Sequence, residues 1–284
     1  MKVLELFGGS RSIGKACDEL GYEVFSSDII NFKGIDYVCD IREYDMSIVP
    51  FTPDVIWASP PCTGFSVAAI GKNWVKGEVF TPKTDSAKLG VDILNATLDI
   101  IKKYMAINPN LIFYIENPRG KMRKSPNLSE EEIEMRDGLI MTRHTVTYCQ
   151  YGDERMKPTD IWTNNFTWRP LKACNNGDPC HVAAPRGSKT GTQGLKGNYE
   201  RSKIPHALCM EVMCSFKKTL RDMVWSIKEY PQMSLYIDKR IGNEDDIVTE
   251  VESFNDANVE WYISDHIDES ECEGYWIIMG GKDD

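Results

Sequence analysis

Cys62 sits in the stretch ASPPCTGFS (58–66), directly after two prolines and the apolar run DVIWA. Proline lacks a backbone N–H and fixes φ, so Pro60 and Pro61 end the strand that the apolar run predicts. The thiol is therefore expected on a stiff turn at a strand's C-terminal edge, where a nucleophile can be held rigidly. Taken alone, a cysteine is more often a small buried hydrophobe than a nucleophile. Glu116, in YIENPRG (114–120), shifts that balance. It places a carboxyl group at the end of a second apolar run, a proton donor or acceptor matched to the thiol at the end of the first.

The elements that must position these groups alternate between strand and helix signals. KVLELF, YEVFSSDI, IDYVCDI, DVIWASPP and NLIFYIENP read as five strands. SIGKACDELG reads as a helix after a glycine-rich turn. KLGVDILNATLDIIKKYMAI reads as a second helix, with Leu89, Ile93, Leu94, Leu98, Ile101 and Met105 near helical spacing. This alternation predicts an α/β fold, a doubly wound and mostly parallel sheet. Such sheets bind ligands at the C-terminal ends of their strands. The glycine turn, Asp28, Asp40, Cys62 and Glu116 are all expected at that one edge.

The turn itself, LELFGGSRSIGKA, has neither the G-x-G-x-x-G spacing nor a P-loop lysine, so a nucleotide phosphate site is not supported. Asp28 ends the second strand, a position that suits a ribose diol. Asp40 ends the third and could accept from an adenine amine. Together these features point to an adenosine-containing ligand.

The length of 284 residues and the 42% hydrophobic content fit one large domain with a small appendage. No run is long and apolar enough to span a membrane, and the first residues enter a strand with no cleavable signal pattern. Nine cysteines without a compact framework predict reduced thiols, no disulfides and a cytoplasmic setting. The net charge of −10 is unevenly spread: residues 231–284 carry −12 and the first 230 carry +2. The acidity belongs to the tail, and the body carries basic clusters such as RGKMRKS and ERSK.

SPPCTGFS and YIENPRG, taken with the glycine turn before them and CQYGDERMKPTDIW and RSKIPHALCMEV after them, resemble the DNA cytosine-C5 methyltransferases. The resemblance covers residues 1–225. Thr63 stands where that family usually has Gln, Pro118 where it has Val, and Lys157 where it has a second Arg.

The resemblance implies the class I S-adenosylmethionine-dependent methyltransferase fold and a covalent mechanism. The thiolate of Cys62 would attack cytosine C6, which makes C5 nucleophilic. A buried Glu116 would supply a proton at N3. Arg155 is the third catalytic residue, holding the glutamate or a phosphate. Pro61, Asn117 and Lys157 support them, with Asn117 bracing the loops. The cofactor S-adenosylmethionine would meet Phe7, Gly8, Gly9, Ser10, Asp28, Ile29, Asp40, Ile41 and Pro60. The substrate implied is double-stranded DNA with the base flipped out, and the same chemistry on RNA is the alternative. A catalytically weak nucleic-acid-binding protein on the same fold is a third reading. Segment 63–86, rich in Gly, Lys and Thr, is expected to act as a mobile flap. The chain is expected to be monomeric and off the membrane, in the cytoplasm of a bacterial or phage-infected host cell.

These readings divide the chain into a catalytic and cofactor-binding core (1–150), a reduced, loop-rich target-recognition region (151–199) and a helix beginning near Pro205 that completes the core (200–230). An acidic α+β appendage (231–284) follows, expected to stay off the DNA face and to limit non-specific binding or dock another protein. Cys174, Cys180 and His181 in CNNGDPCH do not fall at a standard zinc spacing, and the adjacent Cys-His pair is awkward for one ion, so no metal site is assigned.

Overall fold

The computed structural model describes residues 1–130, 132–166, 168–183, 197–215, 234–238, 259–267 and 273–281. They fall into two compact units, Met1–Met213 and Cys214–Asp284.

In the first unit, β1 (Lys2–Leu6), α1 (Ser12–Leu20), β2 (Glu23–Asp28), β3 (Tyr37–Val38) and β4 (Val55–Ala58) follow the expected alternation. The short helix α2 (Ile70–Asn73) and the long α3 (Asp85–Ile107) lead to β5 (Ile112–Pro118). Then come β6 (Glu134–Arg136), β7 (Leu139–Thr147) and β8 (Pro158–Thr163), and the helices α4 (Asn198–Ser202) and α5 (His206–Cys214). One sheet holds all eight strands in the order β3-β2-β1-β4-β5-β8-β7-β6. The first five pair in parallel; β8 lies antiparallel to β5, and β7 to β8. The doubly wound reading of the sequence therefore holds.

Side chains in a strand alternate between faces. Leu4, Leu6, Ile56, Ala58, Phe113 and Ile115 share one core with Leu94, Leu98 and Ile101 of α3. Complete burial of a side chain such as Phe113 contributes about 1.5–3 kcal/mol. The alternate positions Val3, Glu5, Val55, Trp57 and Tyr114 are also buried, so the central strands are covered on both faces. Thr84 caps α3, accepting from Ala87 N. The buried stripe of α3 runs through Ala87, Gly90, Leu94, Thr97, Leu98, Ile101 and Tyr104, and Leu89 is exposed.

Two expectations change. Residues 151–199 read as loop, yet β8 is a fully internal strand between β5 and β7. Its sequence, PTDIWT, is short, polar and opened by proline, which hides it from pattern reading. Segment 63–86 is anchored rather than loose. Phe65, Trp74 and Phe80 pack together as an aromatic cluster, and Gly64 O accepts from Trp74 Nε1 and Asn73 Nδ2.

The second unit contains β9 (Ser234–Asp238), β10 (Val259–Ile267) and β11 (Glu273–Gly281), an antiparallel sheet in the order β10-β11-β9. The three strands lie where MSLYIDK, VEWYIS and GYWIIM predict them. The helix expected at EDDIVTEVESF and most of the long helix expected beyond Cys214 lie outside the described residues. Among the described residues no helix is long and apolar enough to cross a membrane, and the eight cysteines are free thiols.

Candidate active site

The β1–α1 turn is built around Glu5. This side chain sits in a strand buried on both faces, and its carboxylate accepts from Ile13 N at 3.1 Å and from Ser26 Oγ at 2.7 Å. It thus satisfies an amide of the first turn of α1 that Arg11, at the N-cap, does not. Burial raises the Glu5 carboxyl to about 7, against the pull of Ser26, the α1 amides and Arg11. Gly8 is confined, since a Cβ there would lie 2.9 Å from Ile35 Cδ1. Phe7, Gly9 and Arg11 all take left-handed φ angles (61°, 49° and 52°). The turn therefore brings backbone rather than side chains to the sheet edge. Asp28 holds it from the neighbouring strand, accepting from Gly9 N at 3.0 Å and Ile30 N at 2.8 Å. Ser10 is buried, with its Oγ 2.8 Å from Ser12 Oγ, which in turn accepts from Ile204 N. The segment before α5 is thereby tied to the turn.

Cys62 is exposed on a turn after β4, closed by Phe65 N donating to Cys62 O. Three contacts hold this turn in place. Asn117 Nδ2 donates to Pro60 O at 2.8 Å, Lys121 N donates to Phe65 O, and the Gly64 carbonyl is clamped as described above. Gly120 packs so closely that a Cβ would lie 2.4 Å from Phe65 O. Ala58 of β4 pairs with Ile115 of β5, so the turn and Glu116 emerge side by side.

Glu116 is buried, and Tyr148 donates to its Oε1 at 3.0 Å from the end of β7. Burial and the adjacent Glu116 charge raise the Tyr148 phenol far above its ordinary value, so it remains a donor. Lys157 Nζ lies 4.3 Å over the Tyr148 ring and donates to Arg201 O at 3.1 Å. Burial lowers the Lys157 ammonium, while Glu116 and Cys62 support its charge. The protein packed around Cys62, and then Glu116, raise its thiol; Lys157 and Arg201 pull it down. Thiol, carboxylate and ammonium thus form one electrostatic group. Lys157 also has a left-handed φ of 30°, and strain of this kind collects at functional sites.

Of the expected site residues, the structure gathers Pro61, Cys62, Glu116, Asn117 and Lys157 at one edge, with Phe7, Gly8, Gly9, Ser10 and Pro60 in the loops beside them and Asp28 at the end of β2. Three behave differently. Arg155 does not hold Glu116. It is buried against Asp153 in a bidentate pair, with a remaining donor on Arg201 O, and meets the site only as a cation 6.0 Å from the Tyr148 ring. Asp40 is taken by Arg42, whose side chain and amide both donate to it and hold its carboxyl down at about 2. Ile41 is a core residue, 7% exposed. Ile29, by contrast, is 66% exposed at the end of β2. Two residues were not anticipated. Tyr148 ends a β-branched run, HTVT, whose alternation signals a strand, and Glu5 is an acid inside an apolar one.

A viral protein, the probable DNA (cytosine-5)-methyltransferase of Frog virus 3 (isolate Goorha), is 28% identical over 235 residues, spanning 75% of this chain and 99% of its own. This chain is similar to a probable cytosine-C5 methyltransferase. The resemblance carried by the Pro-Pro-Cys and Glu-Asn blocks agrees with that relative. No family model matches the chain. Among solved structures, a Spodoptera frugiperda DNMT2 mutant is 20% identical, with a TM-score of 0.35 over 61% of this chain and 53% of its own. The Dnmt2 methyltransferase of S. pombe is 15% identical, with a TM-score of 0.34 over 57% and 48%. The chain spans about half the length of each of these two.

Proposed function

We propose that this protein transfers a methyl group from S-adenosylmethionine to C5 of a flipped-out cytosine in DNA, through a covalent bond between Cys62 Sγ and cytosine C6. The observation that carries this reading is the placement of Cys62, exposed on a pinned turn after β4, beside the buried Glu116 of β5, to which Tyr148 donates. The Glu116 charge opposes ionisation of Cys62. A proton on Glu116 removes that opposition, leaving burial against ionisation and Lys157 and Arg201 in favour of it. The form of Glu116 that can donate to cytosine N3 is thus also the form that makes the thiolate easiest to generate. Tyr148 orients the carboxyl group, and Asn117 sets the height of the Cys62 turn against β5.

The residues of the β1–α1 edge fit the cofactor. The left-handed turn at Phe7–Ser10 exposes backbone, Asp28 offers a carboxylate, and Ile29 presents an unshielded apolar surface for a base. Asp40 is engaged by Arg42 and Ile41 packs into the core, so neither carries this reading. When bound there, S-adenosylmethionine supplies an electrophilic methyl group.

The test is a duplex containing 5-fluorocytosine, incubated with the protein and S-adenosylmethionine and run on a denaturing gel. Fluorine at C5 cannot leave as a cation, so the wild type should give a stable covalent species and Cys62→Ser none. A parallel RNA arm distinguishes the two nucleic acids. Methylation of ordinary cytosine without trapping in either arm would overturn the covalent mechanism. Trapping on RNA alone would overturn the DNA reading.

A further inference from the structure

Cys149, Cys174, Cys180 and His181 converge on one point, and no step of the proposed methyl transfer uses them. Cys149 follows Tyr148 directly; the other three come from the loop after β8. Their four ligand atoms all lie within 4.8 Å of one another. Cys149 Sγ is 3.2 Å from Cys174 Sγ and 3.6 Å from Cys180 Sγ. His181 Nδ1 is 3.7 Å from Cys174 Sγ and 3.5 Å from Cys180 Sγ. Zinc–sulfur bonds of about 2.3 Å and zinc–nitrogen bonds of about 2.0–2.1 Å in a tetrahedron give edges of about 3.8 Å between sulfurs and about 3.5 Å from sulfur to nitrogen. The two sulfur–nitrogen edges lie within 0.2 Å of that value, and the two sulfur–sulfur edges are 0.2 and 0.6 Å shorter than theirs, a small expansion away from a tetrahedron. They are far too long for a disulfide, whose sulfurs lie about 2.05 Å apart.

We propose that these four side chains bind one zinc ion in a closed, structural Cys3His site. The linear spacing concealed it. Cys174 and Cys180 with an adjacent histidine match no common pattern, and the fourth ligand lies 25 residues upstream of Cys174. The adjacency is met by geometry, because His181 turns Nδ1, the ring nitrogen nearer its own backbone, toward the sulfurs. The surroundings are those of a ligand set already held in place. Gln150 Nε2 donates to Cys180 Sγ at 3.3 Å, as an outer partner of a thiolate does. Cys174 N donates to Thr147 Oγ1 at 3.0 Å, and Val182 N donates to Glu154 O at 2.9 Å, so the loop is tied at both ends. Three thiolates and one imidazole favour zinc over the hard cations. With four protein ligands no position remains open for substrate, so the ion fastens the loop of residues 170–183 to the hairpin that carries Tyr148 and Arg155.

The test is the metal content of the full chain, purified under reducing conditions and measured by inductively coupled plasma mass spectrometry. One zinc per chain is expected. Replacing zinc with Co(II) should give the visible bands of a tetrahedral ion and a thiolate charge-transfer band. Loss of an outer partner alone costs roughly 10–100-fold in metal affinity, so Cys180→Ser and His181→Ala should each weaken cobalt binding at least that much. Both positions lie in the loop and are less buried than Cys149, and Cys214→Ser serves as a control that keeps the metal. A folded wild type that neither carries zinc nor takes up Co(II) in tetrahedral geometry would overturn the proposal. Variants that bind cobalt as tightly as the wild type would also overturn it.

Discussion

Replacing Glu5 with Gln should flatten the dependence of stability on pH. The carboxyl moves from its ordinary 4.5 in the unfolded chain to about 7 in the folded protein. At 1.36 kcal/mol for each pH unit between those values, this is about 3 kcal/mol. The folded state binds the proton more tightly. Its contribution is therefore fully present below about pH 4.5 and is lost as pH rises through 7. Glutamine keeps the shape and one oxygen for Ile13 N, and Ser26 Oγ, 2.7 Å away, can rotate to accept from the new amide. The variant should thus match the wild type near pH 4.5 and exceed it by about 3 kcal/mol at pH 8. Urea unfolding at several pH values from 5 to 8 measures the difference, and the acidic second unit, identical in both proteins, cancels. Parallel curves across that range would refute the assignment of the buried charge to Glu5.

Cys62→Ser should abolish methyl transfer while leaving S-adenosylmethionine binding by calorimetry unchanged, because the hydroxyl is too basic to form the adduct at neutral pH. Tyr148→Phe should lower kcat about 10–100-fold with little change in KM, the equivalent of a hydrogen bond to a charged group worth about 1.5–3 kcal/mol. Asp160→Ala should cost about 3 kcal/mol in denaturant unfolding, since it strands Arg123, which pairs with the buried Asp160 carboxylate at 2.6 and 3.0 Å. A chain ending at Tyr230 should bind non-specific duplex more tightly than the full chain at low salt, an advantage that shrinks as salt screens the acidic tail.

The central parallel strands β1, β4 and β5 were legible because they are buried on both faces and read as mainly apolar runs closed by glycine or proline. Cys62 and Glu116 were legible for the same reason: each sits where such a run stops. The antiparallel half was not. In LIMTRHTVT and PTDIWT polar and β-branched residues interleave, and Asp160 is buried only because Arg123 and Thr145, distant in sequence, meet it. Arg155 was placed correctly along the chain but not in space, since its partner Asp153 is a close neighbour that competes with any more distant carboxylate. Asp40 is likewise engaged by a close neighbour, Arg42, two residues away. Cys149 was invisible as a ligand because its partners come from beyond β8.

Thr147 of β7 lies opposite Pro158 of β8, and Pro118 at the end of β5 lies opposite Thr159. A strand that runs backwards starts at the edge where its parallel neighbours finish. The connection 148–157 therefore arrives beside Cys62 by geometry alone, with Tyr148, Cys149, Arg155 and Lys157 aboard. It behaves as a cassette hung on two rigid rails. Its length or sequence can change without disturbing a single strand pairing, whereas a point change in the rails would misalign every group it carries. Chimeras that exchange this hairpin between relatives should therefore transplant proton handling and loop attachment together, as one heritable piece.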